Sequence, residues 1–212
     1  LSRMATNLVE DDYAATSQAA SEVISSLLTC MEDYCTDNRG DVGSWVREAA
    51  MEALPGAISA LQASGLELAT GRCVTIVSAL LKQCAEKIDR TRASAATALC
   101  AVLRGRESDM LEPLPDVPGF NRLLDAAPTE ERLAASWAVP TSAYAALTPL
   151  IVADGSDPLA AYRADLIEGI VVSAGGVGDS LGKASGGALV AAVKADPALQ
   201  ETVANELVDL LP

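Results

Sequence analysis

Residues 16 to 34 place Ala20, Val23, Ile24, Leu27, Leu28 and Met31 three and four positions apart. That spacing lines one side of an α-helix and predicts an amphipathic helix over this stretch. A polar turn, TDNRGD, follows. A second helical pattern opens at about Ser44, with Val46, Ala50, Leu54, Ala57 and Leu61 expected inward. Residues 72 to 88 repeat the theme through Val74, Val77, Leu81, Cys84 and Ile88. After a short turn, residues 91 to 104 do so again through Ala95, Leu99 and Val102.

The two second helices superimpose as sequence. Arg47 is followed by Ala50 and Leu54, and Arg92 by Ala95 and Leu99 at the same offsets. Asp41 and Glu86 each precede their arginine by six residues, and the two arginines lie 45 residues apart. Paired helices with a period of about 40–47 residues mark HEAT-type repeats. The expected fold is therefore all-α, a HEAT/armadillo-like α-solenoid of stacked antiparallel helix pairs. Asp41, Arg47, Glu86 and Arg92 are its expected polar ladder between repeats. Gly40 permits a left-handed turn, and Asp41 is expected to cap the helix and pair with an arginine. Trp45 is expected in the core, since large aromatics are scarce in this chain, with a hot spot at an interface as the competing reading.

Further along, the pattern loosens. Gly105, Pro113, Pro115, Pro118 and Gly119 mark a loop over 105 to 119, followed by a weak helical segment around 120 to 137. Residues 141 to 153 read as a helix that Pro149 kinks or ends. DGSDP, 154 to 158, reads as a loop whose Asp157 caps a helix opened by Pro158 and running to about Ala174. Asp196 and Pro197 repeat that start for the last helix. The expected organisation is two regular helix pairs in 1–104, an irregular loop and short helix in 105–135, and further helices in 136–212, the last beginning another repeat. Leu1 at the start and a helical pattern running to Pro212 read as a fragment of a longer chain.

SAGGVGDSLGKASGG, 173 to 187, resembles a phosphate loop at first sight. A P-loop needs G-x-x-x-x-G-K-[S/T], and Val177 and Ala184 stand where the first glycine and the hydroxyl belong. Gly176, Gly178 and Gly182 also have the wrong last gap for a dinucleotide fingerprint. The repeat reading fits better, with Lys183 close to two periods after Arg92 and followed by Gly186 and Val190. A nucleotide-binding α/β domain is the rival from the enzyme class, and substantial strand content would favour it.

Composition narrows the function. Aromatics make up 3% of the chain while half of it is hydrophobic, which favours Ala/Leu helices over a β-sandwich. A net charge of −14 argues against nucleic acid or an anionic membrane as main partner. With no histidine there is no Ser-His-Asp triad, Cys-His pair or His-ligated metal. No catalytic residue, metal site or cofactor is assigned. Cys30, Cys35, Cys73, Cys84 and Cys100 show no C-x-x-C spacing and read as reduced thiols, the last three buried. No apolar run approaches the roughly 20 residues of a membrane span.

Four blocks carry a resemblance: EDYCTDNRGDVGSWVREAAMEAL at 32–54, AEKIDRTRASAATAL at 85–99, ASWAVPTSAYAALTPLI at 135–151 and YRADLIEGIVVSAGGVGDSLGKAS at 162–185. They resemble the tubulin-folding cofactor D family, in that family's order, and correspond to its C-terminal region. The resemblance implies a cytoplasmic, cytoskeleton-associated HEAT-like solenoid that is a chaperone rather than an enzyme. It implies binding to β-tubulin and αβ-tubulin, and work with tubulin-folding cofactors C and E. It further implies partnership with an Arf-like small GTPase, with GTPase activation only as part of the cofactor complex. The alternative is a generic HEAT scaffold with other cargo.

Within such a protein, Arg39-Gly40-Asp41 is an inter-helix turn rather than an adhesion signal. Asn38 and Arg39 at its tip are candidate partner contacts. Arg90, Arg92, Arg104 and Arg106 concentrate positive charge in an acidic chain. Arg104 and Arg106 are the candidate contacts among them, and a solvated face is the competing reading.

Overall fold

The computed structural model describes residues 17–63, 65, 70–104, 130–152, 162–174 and 179–209. The fold is all-α, of the solenoid class, with helices stacked in pairs. The chain divides into two compact units, Leu1–Leu68 and Ala69–Pro212.

In the first unit, α1 covers 17–30 and α2 covers Gly43–Ala63. A small hairpin joins them: β1, Thr36–Asp37, pairs antiparallel with β2, Gly40–Asp41, setting Thr36 opposite Asp41. Ile24 and Met31 are buried from the α1 side. The buried stripe of α2 runs through Arg47, Ala50, Met51, Leu54, Ile58 and Leu61. Val46, expected inward, is 40% exposed, because the stripe passes through its neighbour Arg47 instead. Close approach fixes where α2 begins. A Cβ on Gly43 would fall 2.2 Å from the Asp33 carbonyl oxygen. Gly65, at φ 70°, follows α2 and donates its amide to Gln62 O at 2.9 Å, as a glycine just past a helix end does.

In the second unit the helices are α3 (Thr70–Cys84), α4 (Asp89–Arg104), α5 (Glu130–Ala138), α6 (Pro140–Ile151), α7 (Arg163–Ala174), α8 (Asp179–Ala195) and α9 (Leu199–Asp209). α3 packs against α4 and α7, α4 against α5, and α6 against α8, while α9 lies on α7 and α8. Cys73, Ile76, Val77, Leu80, Leu81 and Cys84 of α3 are buried. α4 buries Thr91, Arg92, Ala95, Ala96, Ala98 and Leu99, and its alanines let helices close in from more than one side. α7 approaches α3 tightly at Gly169, where a Cβ would fall 2.5 Å from Lys82 O. Pro140 starts α6 after an extended Val139, and Pro149 lies inside the helix two residues before it ends at Ile151.

The glycine stretch is helical from Asp179 onward. Its register differs from the one expected. Val190 is 53% exposed, and the inward residues are Ser185, Ala188 and Ala192. These keep the +3 and +7 spacing but start two residues after Lys183. Lys183 therefore matches Arg90 and Trp45 in position, each two residues before an inward polar side chain, and all three are exposed. The loop at 105–119, most of the segment at 120–137, and the DGSDP loop with its Asp157 cap lie outside the described residues. Asp196 does turn the chain before α9, its carboxylate accepting from the Ala198 amide at 3.0 Å.

Candidate functional site

Two fully buried arginines organise inter-helix turns, Arg47 in the first unit and Arg92 in the second. Arg47 lies in the first turns of α2 and is fully buried. Its Nη1 donates to Asp33 O at 2.5 Å and Asp41 Oδ1 at 3.2 Å, and its Nη2 donates to Asp41 Oδ2 at 3.0 Å. The guanidinium also lies over the Tyr34 ring, 4.2 Å from its centroid. The same Asp41 accepts from the Ser44 amide at 3.0 Å, so one carboxylate caps α2 and grips the arginine. Gly40, at φ 107°, supplies a backbone conformation that side-chain-bearing residues rarely adopt.

Arg92, 45 residues on, serves the second unit more fully. Nε donates to Trp137 O at 2.9 Å. Nη1 donates to Glu86 O at 2.7 Å and Lys87 O at 3.3 Å. Nη2 donates to Asp89 Oδ1 at 2.6 Å and Ala138 O at 2.9 Å. A guanidinium has five N–H donors, and each here has an acceptor. Four of those acceptors are main-chain carbonyls just past α3 and at the end of α5, groups a helix cannot satisfy by itself. The positive charge also complements both helix C-termini. Nearby, the Tyr144 hydroxyl and Ser173 Oγ both donate to Ala85 O, at 2.8 and 2.5 Å. Burial raises the Tyr144 pKa, which keeps its hydroxyl a donor.

The expected ladder is thereby altered in its partners. Arg92 takes its charged contact from Asp89, three residues ahead, and from Glu86 a main-chain carbonyl. The Glu86 carboxylate is buried and accepts from the Lys87 amide at 2.7 Å. The arginines bind carbonyls and an acid of their own turns, and Arg92 adds the end of α5. Asp89 was legible as an acid three residues before an arginine at a helix start. The Trp137 and Ala138 carbonyls had no signature, since every residue carries one.

The hairpin tip is exposed. Asn38 and Arg39 stand at its turn. Asp37 accepts from the Arg39 amide, Nε and Nη2 at 2.7, 2.9 and 2.6 Å, and these bonds hold its carboxyl below the usual value. The Arg39 guanidinium lies 5.2 Å from the centroid of the Trp45 ring. Trp45 is not a core residue: it is 52% exposed. At about 100° per residue, two residues turn a helix by about 200°. Once Arg47 points inward to its acid, Trp45 must point out. Arg104 ends α4 half-buried, and Arg106 lies outside the described residues.

Gly182 and Lys183 lie within the body of α8, not at a strand-to-helix turn. Burial pushes the Cys73 and Cys84 thiols up and Cys100 to about 11, against what a nucleophile requires. Among the described residues no cluster of three metal-ligating side chains occurs, and no helix is long and apolar enough to cross a membrane.

Residues 74–212, from within α3 onward, match the profile of the family described as tubulin folding cofactor D C terminal. The chain belongs to the tubulin folding cofactor D family. Tubulin-folding cofactor D of Schizosaccharomyces pombe (strain 972 / ATCC 24843) is 34% identical over 93 residues, which is 44% of this chain and 8% of that protein. The chain thus spans a small part of the length of that relative. No solved structure matches it. The Arg92 hub falls inside the family's C-terminal segment, and the Arg47 hairpin precedes it.

Proposed function

We propose that this chain is part of a tubulin-specific chaperone, cytoplasmic and cytoskeleton-associated, acting in the folding, assembly and disassembly of the αβ-tubulin heterodimer. The observation that carries this reading is the family match over residues 74–212. Its partners are β-tubulin and αβ-tubulin, tubulin-folding cofactors C and E, and an Arf-like small GTPase. GTPase activation belongs only to the assembled cofactor complex, with hydrolysis on the bound GTPase or on tubulin. The mechanism is surface complementarity without catalysis by this chain. Stacked helix pairs hold a tubulin subunit while its partner is added or removed.

Buried arginines suit that role, because they lock inter-helix turns and so keep a binding surface preorganised. Partner contacts belong at exposed positions, and Asn38, Arg39, Arg104 and Arg106 are proposed for them. The grouping into two helix pairs at 1–104, an irregular connection at 105–135 and further pairs at 136–212 belongs to the same proposal. The test is size-exclusion co-elution of the chain with αβ-tubulin, beside an unrelated helical-repeat protein. Selective co-elution of this chain is expected. Equal co-elution of both, or of neither, refutes the tubulin assignment for this segment.

A further inference from the structure

Arg163 repeats the arrangement of Arg47 and Arg92 but stops short of completing it. It is the first residue of α7 and is 7% exposed. Its Nε donates at 3.1 Å to Ile151 O, the carbonyl of the last residue of α6. A carbonyl at a helix end has no partner inside its own helix. Arg92 uses its Nε in the same way, on Trp137 O near the end of α5. The difference lies at Nη2. In Arg47 that atom donates to the Asp41 carboxylate at 3.0 Å, and in Arg92 to the Asp89 carboxylate at 2.6 Å. In Arg163 the same atom is buried and has no hydrogen-bond partner among the described residues.

The chemistry of the ligand follows from that atom. A guanidinium keeps its charge at any ordinary pH, and a buried charge is costly without a counter-ion. Asp165 is the acid of α7's first turn, but two residues turn a helix by about 200°, which sets it on the other side from Arg163. The two Nη groups of an arginine form a fork that matches the two oxygens of a carboxylate. The N-terminus of α7 adds its own preference for negative charge. We propose that Arg163, where α7 begins against the end of α6, is a binding site for one carboxylate from outside the chain. Its source is an acidic side chain of a partner protein or a small free carboxylate. The 7% of the residue that remains exposed is the route by which the ligand reaches it. The proposal is independent of whether tubulin is the cargo.

The test uses the whole chain at neutral pH. Its thermal midpoint is followed while sodium acetate replaces sodium chloride at constant ionic strength, and in parallel with an aspartate blocked at both ends and its asparagine counterpart. Acetate is expected to act saturably and to raise the midpoint by about 3–6 °C at tenfold excess over its Kd. The asparagine compound should raise nothing. Blocked aspartate binding at least about tenfold more tightly than acetate assigns the site to an acidic side chain, and equal affinities assign it to a free carboxylate. Arg163→Lys keeps the charge and a donor for Ile151 O but loses the fork, so its affinity for acetate should fall at least about tenfold. A second readout needs no variant: in side-chain NMR of labelled arginine, the Arg163 guanidinium signals should move with the same Kd. Absence of a saturable rise overturns the proposal. So does an equal rise in Arg163→Lys, which is a general solvent effect. Asp157 stands six residues before Arg163, as Asp41 does before Arg47. Acetate binding seen only in Asp157→Asn would place the carboxylate within the chain itself and overturn the proposal as well.

Discussion

Arg92→Lys keeps the charge and removes the geometry. The guanidinium places five N–H groups on five acceptors: Trp137 O, Glu86 O, Lys87 O, Asp89 Oδ1 and Ala138 O. A lysine ammonium has three donors on one atom, so at least two acceptors lose theirs. A buried polar group left unsatisfied costs about 1–3 kcal/mol, giving about 2–6 kcal/mol for the substitution. The ion pair adds little to that figure, since Asp89 is 66% exposed and its attraction is screened. Chemical denaturation followed by far-UV circular dichroism measures the change. Thermal unfolding should fall by about 2–4 °C per kcal/mol for a unit of this size. Arg39→Lys is the matched control: its side chain is 63% exposed, and it should cost under about 1 kcal/mol. If Arg92→Lys unfolds cooperatively within about 1 kcal/mol of the parent, the five-acceptor hub is not what joins α3, α4 and α5.

Two glycines of the second unit should respond in opposite directions. Gly169→Ala puts a Cβ 2.5 Å from the Lys82 carbonyl oxygen and 3.0 Å from Ala85 Cβ, so α7 must shift from α3, at about 1–3 kcal/mol. Gly186→Ala meets nothing within 4 Å in a helix and should stabilise by about 0.5–1 kcal/mol, read in the same denaturation assay. At the hairpin tip, Arg39 lowers the Asp37 pKa below its ordinary 3.8. A depressed carboxyl contributes above its unfolded pKa, and that contribution is lost as pH falls through the folded one. The Arg39–Trp45 contact should thus persist at pH 3.8 and be released only below it. Trp45 fluorescence should report this, and Asp37→Asn should remove the transition.

Much of the architecture was visible in the chain before any coordinates. Helix periodicity is a local property, and so are the Asp41 and Asp196 turns, whose carboxylates reach amides only a few residues on. The 45-residue offset of Arg47 and Arg92 was equally plain, and both arginines proved to be buried at the starts of their second helices. The family resemblance needed only the strings themselves.

Tertiary structure decided which way side chains face and where their partners come from. Trp45 was expected inward because aromatics are scarce, yet Arg47 two residues on claimed the interior for its bonds to Asp41 and the Asp33 carbonyl. In α8 the inward register belonged to Ser185 rather than Lys183, a difference of two residues that a coarse repeat period does not resolve. The acceptors that complete Arg92 come from Trp137 and Ala138, 45 and 46 residues away. A main-chain carbonyl looks the same in every residue, so only the packing of α4 against α5 selects those two. Sequence by itself determined that the chain forms stacked helices with arginines at their turns; the stacking buried those arginines and determined what they hold and which aromatic they leave outside.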